Sequence, residues 1–203
     1  MFQVLAAFAL LLASVVAHAE ESNWRVFAGL GYADGGDTIV SGNIVNVTTH
    51  SVLPYQIKAG TAFQERIGAE FRVSPRFTLQ GSIGHSVNSP MGYDGSLDFT
   101  VIPVEIMGFV EVLGGFRVGA GMRQSSAEMR GTGKASNWPV NGTYVSSQGA
   151  VLELQYLFAN GATETNKSVH QFGLSVRSVT EKFASPVGDL NGDHYALGVV
   201  LYY

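Results

Sequence analysis

Alternation of apolar and polar residues with a period of two runs through most of the chain and constrains its fold more than any other feature. Residues 66–73 illustrate it, because Ile67, Ala69 and Phe71 share one face while Arg66 and Glu70 occupy the other. Successive side chains of a β-strand point to opposite faces, so the pattern predicts strands with one apolar face. Eight such runs occur, at 24–32, 66–73, 77–84, 98–112, 116–123, 152–158, 172–177 and 194–203.

The lengths of the runs and of their connections indicate a membrane barrel. Most runs are about ten residues long, the length that a tilted strand needs to cross a bilayer. Connections 74–76 and 113–115 are short and 159–167 is intermediate, whereas others are long and rich in Gly, Asn, Asp and Ser: 34–56, 88–97, 130–147 and 182–193. Short turns at one end and long loops at the other are typical of outer-membrane barrels. We therefore expect an eight-stranded antiparallel up-and-down transmembrane β-barrel, with a secreted β-sandwich as the alternative.

Aromatic residues gather at the ends of the apolar rows. Membrane barrels carry such aromatic girdles at both bilayer interfaces. The residues expected there are Trp24, Tyr32, Phe71, Phe77, Phe116, Tyr156, Phe158, Tyr195 and Tyr203.

Composition excludes several function classes. Charged residues make up 14% of the 203 positions, below the roughly 25% of soluble domains. The absence of Cys excludes a disulfide scaffold, a thiolate zinc site and a cysteine nucleophile. A net charge of -4 leaves no basic stripe for nucleic acid, so a nucleic-acid partner is not expected.

Residues 1–19 predict a secretory signal peptide. The stretch MFQVLAAFALLLASVVAHA is apolar and ends in the small-residue pattern Ala17-His18-Ala19, although it has no Lys or Arg before the apolar run. A membrane anchor or a buried helix is the alternative, but acidic Glu20 and Glu21 follow the stretch where an anchor would need stop-transfer flanks. We therefore expect cleavage after residue 19 and a single barrel domain over residues 20–203.

Two segments carry a resemblance to a known family. The stretch HYALGVVLYY at 194–203 resembles the C-terminal signal of outer-membrane proteins, although that signal usually ends in Phe rather than Tyr203. The stretch VIPVEIMGFVEVLGGFRVGAGM at 101–122 is similar to the fourth and fifth strands of proteins with an OmpA-like eight-stranded β-barrel domain. The resemblance implies a cell outer membrane location in a Gram-negative cell envelope and insertion by the barrel assembly machinery. It implies no shared activity.

On each strand, the positions that alternate with the apolar row form the polar parity. Charged residues at these positions are expected to face the barrel interior. They are Arg25, Arg66, Glu70, Arg72, Glu105, Arg117, Arg123, Glu153 and Arg177. An eight-stranded barrel leaves an interior that side chains fill, and buried charges there must be paired. We expect a closed network, with Glu105 accepting from Arg117 and Arg123 on the next strand. A charge-lined gate or narrow pore is the alternative.

Catalytic chemistry is thinly represented. Lipid A deacylases use a His and a Ser close together on one strand, but none of the five histidines begins a His-x-Ser arrangement: His18, His50, His85, His170 and His194. No pair of His or carboxylates has metal-ligand spacing in a shared element. We therefore expect no catalytic residues, no metal and no cofactor.

The long loops are the remaining candidates for function. Segment 38–53 keeps a β-like alternation around Gly42-Asn43, so a projecting hairpin could pair with a partner strand. Segment 136–145 offers Trp138 and Tyr144 as contact aromatics. We expect a monomer in contact with outer-membrane lipids and lipopolysaccharide, with a structural or adhesion-like role through its loops. The alternatives are a narrow channel or carrier of small apolar molecules, and a lipid-modifying enzyme.

Overall fold

The computed structural model describes residues 23–45, 51–92, 95–158, 171–186 and 188–203. The predicted signal peptide and the connection 159–167 lie outside the described residues. None of the described helices is long and apolar enough to span a bilayer.

Eight antiparallel strands form a closed barrel within the described residues. They are β1 (Trp24–Gly35), β2 (Ala62–Ser74), β3 (Phe77–Asn88), β4 (Gly95–Leu113), β5 (Phe116–Gly131), β6 (Gly149–Leu157), β7 (Gln171–Thr180) and β8 (His194–Tyr202). Each strand pairs with the next, and β1 also pairs with β8, where Phe27 opposes Tyr202. The predicted eight-stranded barrel is confirmed, and closure of the ring excludes two separate packed sheets.

The two short connections are tight turns, as the sequence predicts. Between β2 and β3, the Ser74 hydroxyl accepts a hydrogen bond from the Phe77 backbone N–H at 3.2 Å. Between β4 and β5, Gly114 and Gly115 have φ values of 48° and 89°. Glycine populates this left-handed region without a steric penalty, so the pair permits the reversal.

The opposite end of the barrel carries a folded structure that we call the cap. Strands β4 and β5 extend into it, and its other elements are the hairpin Thr38–Val45 with Val52–Lys58, the short strand Met91–Gly92, the 3-10 helix Gly133–Ala135, and the strands Gly142–Ser146, Lys182–Ser185 and Gly188–Asn191. Gly142–Ser146 pairs with both β5 and Lys182–Ser185. The long connections are therefore partly β-structure, where the sequence predicted only one hairpin.

The cap has an apolar core of its own. Its buried residues are Ile57, Ala59, Leu97, Phe99, Val101, Ala127, Met129, Ala135, Tyr144 and Phe183. The rings of Tyr144 and Phe183 meet the Phe99 ring edge-on, with centroids 5.4 and 6.3 Å away. The Tyr144 hydroxyl donates to the Val140 carbonyl at 2.6 Å, and burial raises the pKa of Tyr144, which favours the protonated donor. This core lies over the mouth of the barrel.

Candidate functional site

An upper cluster of charges fills the middle of the barrel. Glu153 accepts paired hydrogen bonds from the Arg66 guanidinium and lies 3.1 Å from Nε of Arg177. Arg177 also contacts Glu105, which lies 3.2 Å from Arg123. Five strands, β2, β4, β5, β6 and β7, each contribute one side chain to this cluster. Its ion pairs therefore connect opposite walls of the barrel.

A lower cluster surrounds Glu70 near the turn end of the barrel. Its carboxylate lies 2.6 Å from both Arg25 and Arg117. Arg117 also donates a hydrogen bond to the Tyr202 hydroxyl. The guanidinium carbon of Arg25 lies 4.1 Å from the centroid of the Tyr202 ring. These charge-assisted hydrogen bonds and ring contacts satisfy the polar groups of the cluster.

Two side-chain amides complete and connect the clusters. Gln80 donates to Glu70 at 2.6 Å. Gln155 accepts from Arg117 at 2.7 Å and donates to Glu153 at 2.6 Å, which joins the lower cluster to the upper one. Charges on different walls therefore belong to one hydrogen-bonded network.

The structure places most of the predicted interior charges inside. Seven are buried, namely Arg66, Glu70, Glu105, Arg117, Arg123, Glu153 and Arg177, and Arg25 is half-buried at the lower mouth. Arg72 is the correction, because its side chain is exposed. It has the inward parity but lies at the turn end of β2, where the pairing register shifts between Arg72 and Ser74.

The expected pairing of Glu105 is half correct. Glu105 lies directly opposite Arg123 and contacts it, but Arg117 pairs with Glu70 instead. Arg117 lies six residues from Arg123 along β5, opposite exposed Glu111, so it belongs to the lower layer of the barrel. The second cation on Glu105 is Arg177.

Sequence reasoning missed several members of the network: Gln80, Ser125, Gln155, Glu181, His194 and Tyr202. Gln155 shares the inward parity of Glu153, and Tyr202 that of His194, so parity could have identified both. Glu181, which lies 3.1 Å from Arg123, had no such signal because it follows β7 in a segment that resembles a loop.

Little free space remains between these side chains. A cavity of about 30 Å³ is lined by Arg66, Glu105, Arg123 and Arg177 together with residues of β1 and β8. A water molecule needs roughly 10–15 Å³ of such volume, so the cavity has room for about two waters. At the level of the upper cluster, ion-paired side chains therefore fill most of the cross-section.

The outer face of the barrel is apolar. Exposed fractions reach 69% for Ile106, 68% for Leu197 and 59% for Leu152. Soluble monomers rarely expose contiguous apolar surface of this kind, and lipid is the medium that covers it in membrane barrels. We call this surface the lipid-facing belt.

The predicted girdle aromatics lie on this outer face, and none of them is buried. Near the turn end, the rings of Trp24 and Phe71 are 4.8 Å apart, and those of Phe116 and Tyr156 are 4.5 Å apart. Phe77, Phe158 and Tyr203 lie at the same end of their strands. Tyr32 and Tyr195 lie at the cap end, exposed to 59% and 74%.

The hairpin Thr38–Lys58 is fastened to the cap at its base. The Asp37 backbone N–H donates to the Asn191 carbonyl at 2.7 Å, and the Asn191 N–H donates to the Asp37 carboxylate at 2.8 Å. Ile57 is fully buried in the cap core, whereas Val52 and Leu53 are exposed to 64% and 44%. The base of the hairpin is thus packed, and its second strand presents apolar side chains at the end farther from the base.

The two aromatics of segment 136–145 have different environments. Trp138 is exposed to 39%, but Tyr144 is fully buried. The expectation that Tyr144 is a contact residue is therefore wrong, because its ring packs in the cap core against Phe99.

The two histidines that the structure describes lie in different environments. His85 faces outward on β3, with Nδ1 3.4 Å from the Glu65 carboxylate. His194 is buried, with Nε2 3.3 Å from the Gln64 amide and Nδ1 2.8 Å from the Gly192 carbonyl. His18, His50 and His170 lie outside the described residues.

Solved structures share this architecture at low sequence identity. Ail, the attachment invasion locus protein of Yersinia pestis, is 9% identical with a TM-score of 0.51, and the match covers 89% of this chain and 99% of Ail. Neisserial surface protein A is 12% identical with a TM-score of 0.49, covering 90% and 98%. OprG of Pseudomonas aeruginosa is 8% identical with a TM-score of 0.44, covering 90% and 96%.

No protein-family model matches the chain, and no curated protein matches it. The likeness to Ail concerns the fold alone, which is that of a small eight-stranded outer-membrane β-barrel. Together with the lipid-facing belt, that fold assigns the barrel to the cell outer membrane.

Proposed function

We propose that the protein is a structural outer-membrane barrel that engages a surface partner through the hairpin Thr38–Lys58 of its cap. The observation that carries the proposal is the contrast between a filled interior and an exposed, folded cap. When ion pairs occupy the interior of a barrel, the residues available to bind a partner lie in the loops at its end. The proposal places the chain among OmpA-like barrels of Gram-negative bacteria, exported by the signal peptide at residues 1–19.

The described end of the hairpin's second strand, at Val52 and Leu53, is the surface that fits a partner, and we call these two residues the tip. Val52 and Leu53 are exposed while Ile57 holds the hairpin on the cap core, so the apolar tip does not need to unfold to bind. Pro54 removes one backbone donor from its strand, which disfavours strand addition along that edge. Side-chain contacts of the tip, rather than a shared β-ladder, are therefore the proposed mode of binding. Ail, an attachment protein by its name, provides a precedent for the fold only.

The proposed role is non-catalytic. An acyl-transfer or hydrolytic site needs a nucleophile within hydrogen-bond reach of its base. Among the described residues, the hydrogen-bond partners of His85 and His194 are Glu65, Gln64 and the Gly192 carbonyl, and none of them is a nucleophilic hydroxyl. A channel or carrier role has little support from the upper charge cluster, where the cavity between the side chains is about 30 Å³.

The test compares two single charge additions on the cap. Leu53→Asp changes the hairpin tip, and Asn137→Asp adds the same charge at an exposed position off the hairpin. Cells that express each variant are assayed for attachment to host cells and to matrix-coated surfaces. We expect loss of attachment for Leu53→Asp alone. Equal attachment by both variants and the parent would contradict the proposal.

A further inference from the structure

A buried histidine lies beneath the base of the hairpin Thr38–Lys58. His194 is the first residue of β8 and is 3% exposed, while its neighbour Tyr195 points outward at the cap end of the barrel. The His194 ring therefore points into the junction between the barrel interior and the cap. The proposed attachment role does not use this titratable side chain.

Hydrogen bonds hold the His194 ring in its neutral form. Nδ1 lies 2.8 Å from the Gly192 carbonyl oxygen, which can only accept, so Nδ1 carries the ring proton and donates. Nε2 lies 3.3 Å from the Gln64 amide nitrogen, which can only donate, so Nε2 accepts. Protonation of Nε2 would place two donors against each other, and only a turn of the Gln64 amide would restore the pairing. The surroundings therefore fit imidazole rather than imidazolium.

The charges around the ring also oppose a cation. The guanidinium groups of Arg123 on β5 and Arg177 on β7 disfavour a positive charge on His194, and Glu105 on β4 favours one. Glu105, however, is already shared by both arginines. Glu181, in the segment that follows β7, lies 3.1 Å from Arg123. Both buried carboxylates of this region are therefore already paired with guanidinium groups.

The other two carboxylates near the junction bind backbone N–H groups. Asp193 accepts from the Glu181 N–H at 2.9 Å, and Asp37 accepts from the Asn191 N–H at 2.8 Å. The Asp193 side chain is exposed whereas that of His194 is buried, so the two point to opposite sides of the chain. The described residues thus offer the ring no carboxylate without a partner.

The ring lies directly against the base of the hairpin. A Cβ added at Gly60 would come within 2.8 Å of Cβ and 3.1 Å of Nδ1 of His194, so no side chain separates the ring from this backbone. Two backbone hydrogen bonds close the base. The Asp37 N–H donates to the Asn191 carbonyl at 2.7 Å, and the Ala59 N–H donates to the Asp37 carbonyl at 2.9 Å. A ring that turns or takes up water must displace this base.

We propose that His194 is an acid-sensitive switch for the hairpin, closed while its ring is neutral and opened by protonation. Opening breaks the two backbone hydrogen bonds of the base and frees the hairpin, whereas the ladders of the barrel stay paired. The inference rests on the proposed function only for its biological role, which is to regulate how the hairpin meets a partner.

The direction of the pH dependence follows from the protons bound in each state. In the open state the ring is in water and has the ordinary His pKa of about 6.5. The closed state resists the proton, so the base is most stable above that pH and loses stability as the pH falls below it. One proton taken up on opening shifts the opening equilibrium by about tenfold per pH unit.

Hydrogen–deuterium exchange of the full chain in detergent micelles tests the switch without any partner. The amides of Asp37 and Ala59 report on the base, and the Val26 amide, which donates to the Tyr203 carbonyl at 3.0 Å, reports on the barrel. Exchange is followed from about pH 7.5 to about pH 5 and corrected for the intrinsic pH dependence of amide exchange. We expect protection of the two base amides to fall about tenfold per unit below about pH 6.5, with protection at Val26 unchanged.

Two variants separate the His194 ring from other titrating groups. His194→Gln removes the titrating ring and should abolish the pH dependence. Gln64→Glu gives a protonated ring a carboxylate acceptor, so this variant should keep its base closed in acid. His85→Gln is the matched control, because His85 faces outward on β3, and it should reproduce the parent profile. A mobility shift on boiling verifies that each variant is a folded barrel.

Constant protection of the parent's base amides across this pH range would overturn the switch, as would a parent-like pH dependence in His194→Gln. Loss of the pH dependence in Asp37→Asn alone would assign the release to that carboxylate instead. Joint loss of protection at the base and at Val26 would also overturn the switch, because it would report unfolding of the whole barrel. Leu53→Asp should keep the pH dependence, which separates failure of the switch from failure of the proposed attachment role.

Discussion

Arg66 of β2 and Glu153 of β6, 87 residues apart in the sequence, are joined across the barrel by two parallel hydrogen bonds. Strands β2 and β6 are not neighbours in the sheet, so this pair connects walls that share no backbone ladder. Side-chain chemistry therefore couples the strands from inside as well as along the sheet.

Replacing Glu153 by Gln should strongly destabilise the barrel. The substitution leaves the Arg66 and Arg177 charges buried without their shared carboxylate, at a cost of about 3–5 kcal/mol. Denaturant unfolding in detergent, followed by tryptophan fluorescence, measures the free energy of unfolding. Glu111→Gln, at an exposed glutamate, is the matched control. Equal unfolding free energies for the two variants would show that the network does not stabilise the fold.

Arg117→Gln and Arg72→Gln should differ although both arginines lie on the inward parity of their strands. Arg117 is bound to Glu70, Gln155 and Tyr202, so its loss should lower the free energy of unfolding by about 3 kcal/mol. Arg72 is exposed, so its replacement should change that free energy by less than about 0.5 kcal/mol. The same unfolding experiment checks both values, and a large effect at Arg72 would contradict its exposed placement.

Gly119→Ala should destabilise the barrel by about 1–3 kcal/mol through overpacking. Gly119 lies opposite Phe109, and an added Cβ would come within 2.4 Å of the Phe109 ring. Gly81→Ala is the control, because its added Cβ would meet no atom within 4 Å. The temperature at which the folded band is lost on gels reports the effect. Combining Gly119→Ala with Phe109→Leu should restore part of the stability, and failure to do so would point to a backbone cause.

Phe99→Ala should loosen the cap while the barrel stays closed. Removing a buried ring typically costs about 3–5 kcal/mol, and Phe99 contacts both Tyr144 and Phe183. Limited trypsin digestion of intact cells should cut the variant within the cap, while the membrane-embedded part keeps its mobility shift on boiling. Val145→Ala, at a side chain that is 53% exposed, should resist trypsin as the parent does. Trypsin resistance of Phe99→Ala would mean that the cap core does not hold the cap together.

The purified barrel should give no stable unitary conductance in planar bilayers. Five guanidinium groups and four carboxylates occupy the described interior, and the cavity beside Arg66, Glu105, Arg123 and Arg177 is only about 30 Å³. Steady ion flow in the parent protein would require these side chains to rearrange. Such a result would favour the channel alternative over a structural role.

Most of the membrane-spanning architecture could be predicted because lipid and a narrow interior impose opposite chemistry on alternate residues. The run from Ile102 to Val110 shows this clearly, with apolar residues outward and Glu105 inward. The ion-pair partners were harder to predict, because the strand register and tilt decide which layer of the interior a charged residue joins. Arg117 and Arg123 share one strand and one parity, yet they belong to different clusters.

The cap could not be predicted from the same pattern because its polarity is inverted. On β4, Phe99 and Val101 face inward into an apolar core, whereas Glu105 farther along the same face lies in the polar interior. The outward face changes the opposite way, from Thr100 to Ile102. The outward and inward faces of β4 thus exchange polarity between residues 100 and 102, where the surroundings of the strand change from lipid to water.

Pairing of β1 with β8 has a consequence for the order in which the protein is built. Phe27 lies opposite Tyr202, so the seam of the ring joins segments separated by most of the chain. Hairpins such as β4–β5 close short loops and can form early, whereas a contact of this sequence separation is slow and entropically costly. We therefore expect the seam to close late in folding. The hydrogen bond from Gln80 of β3 to the Tyr202 hydroxyl of β8 spans the seam, so closing the wall and joining these interior side chains should occur together.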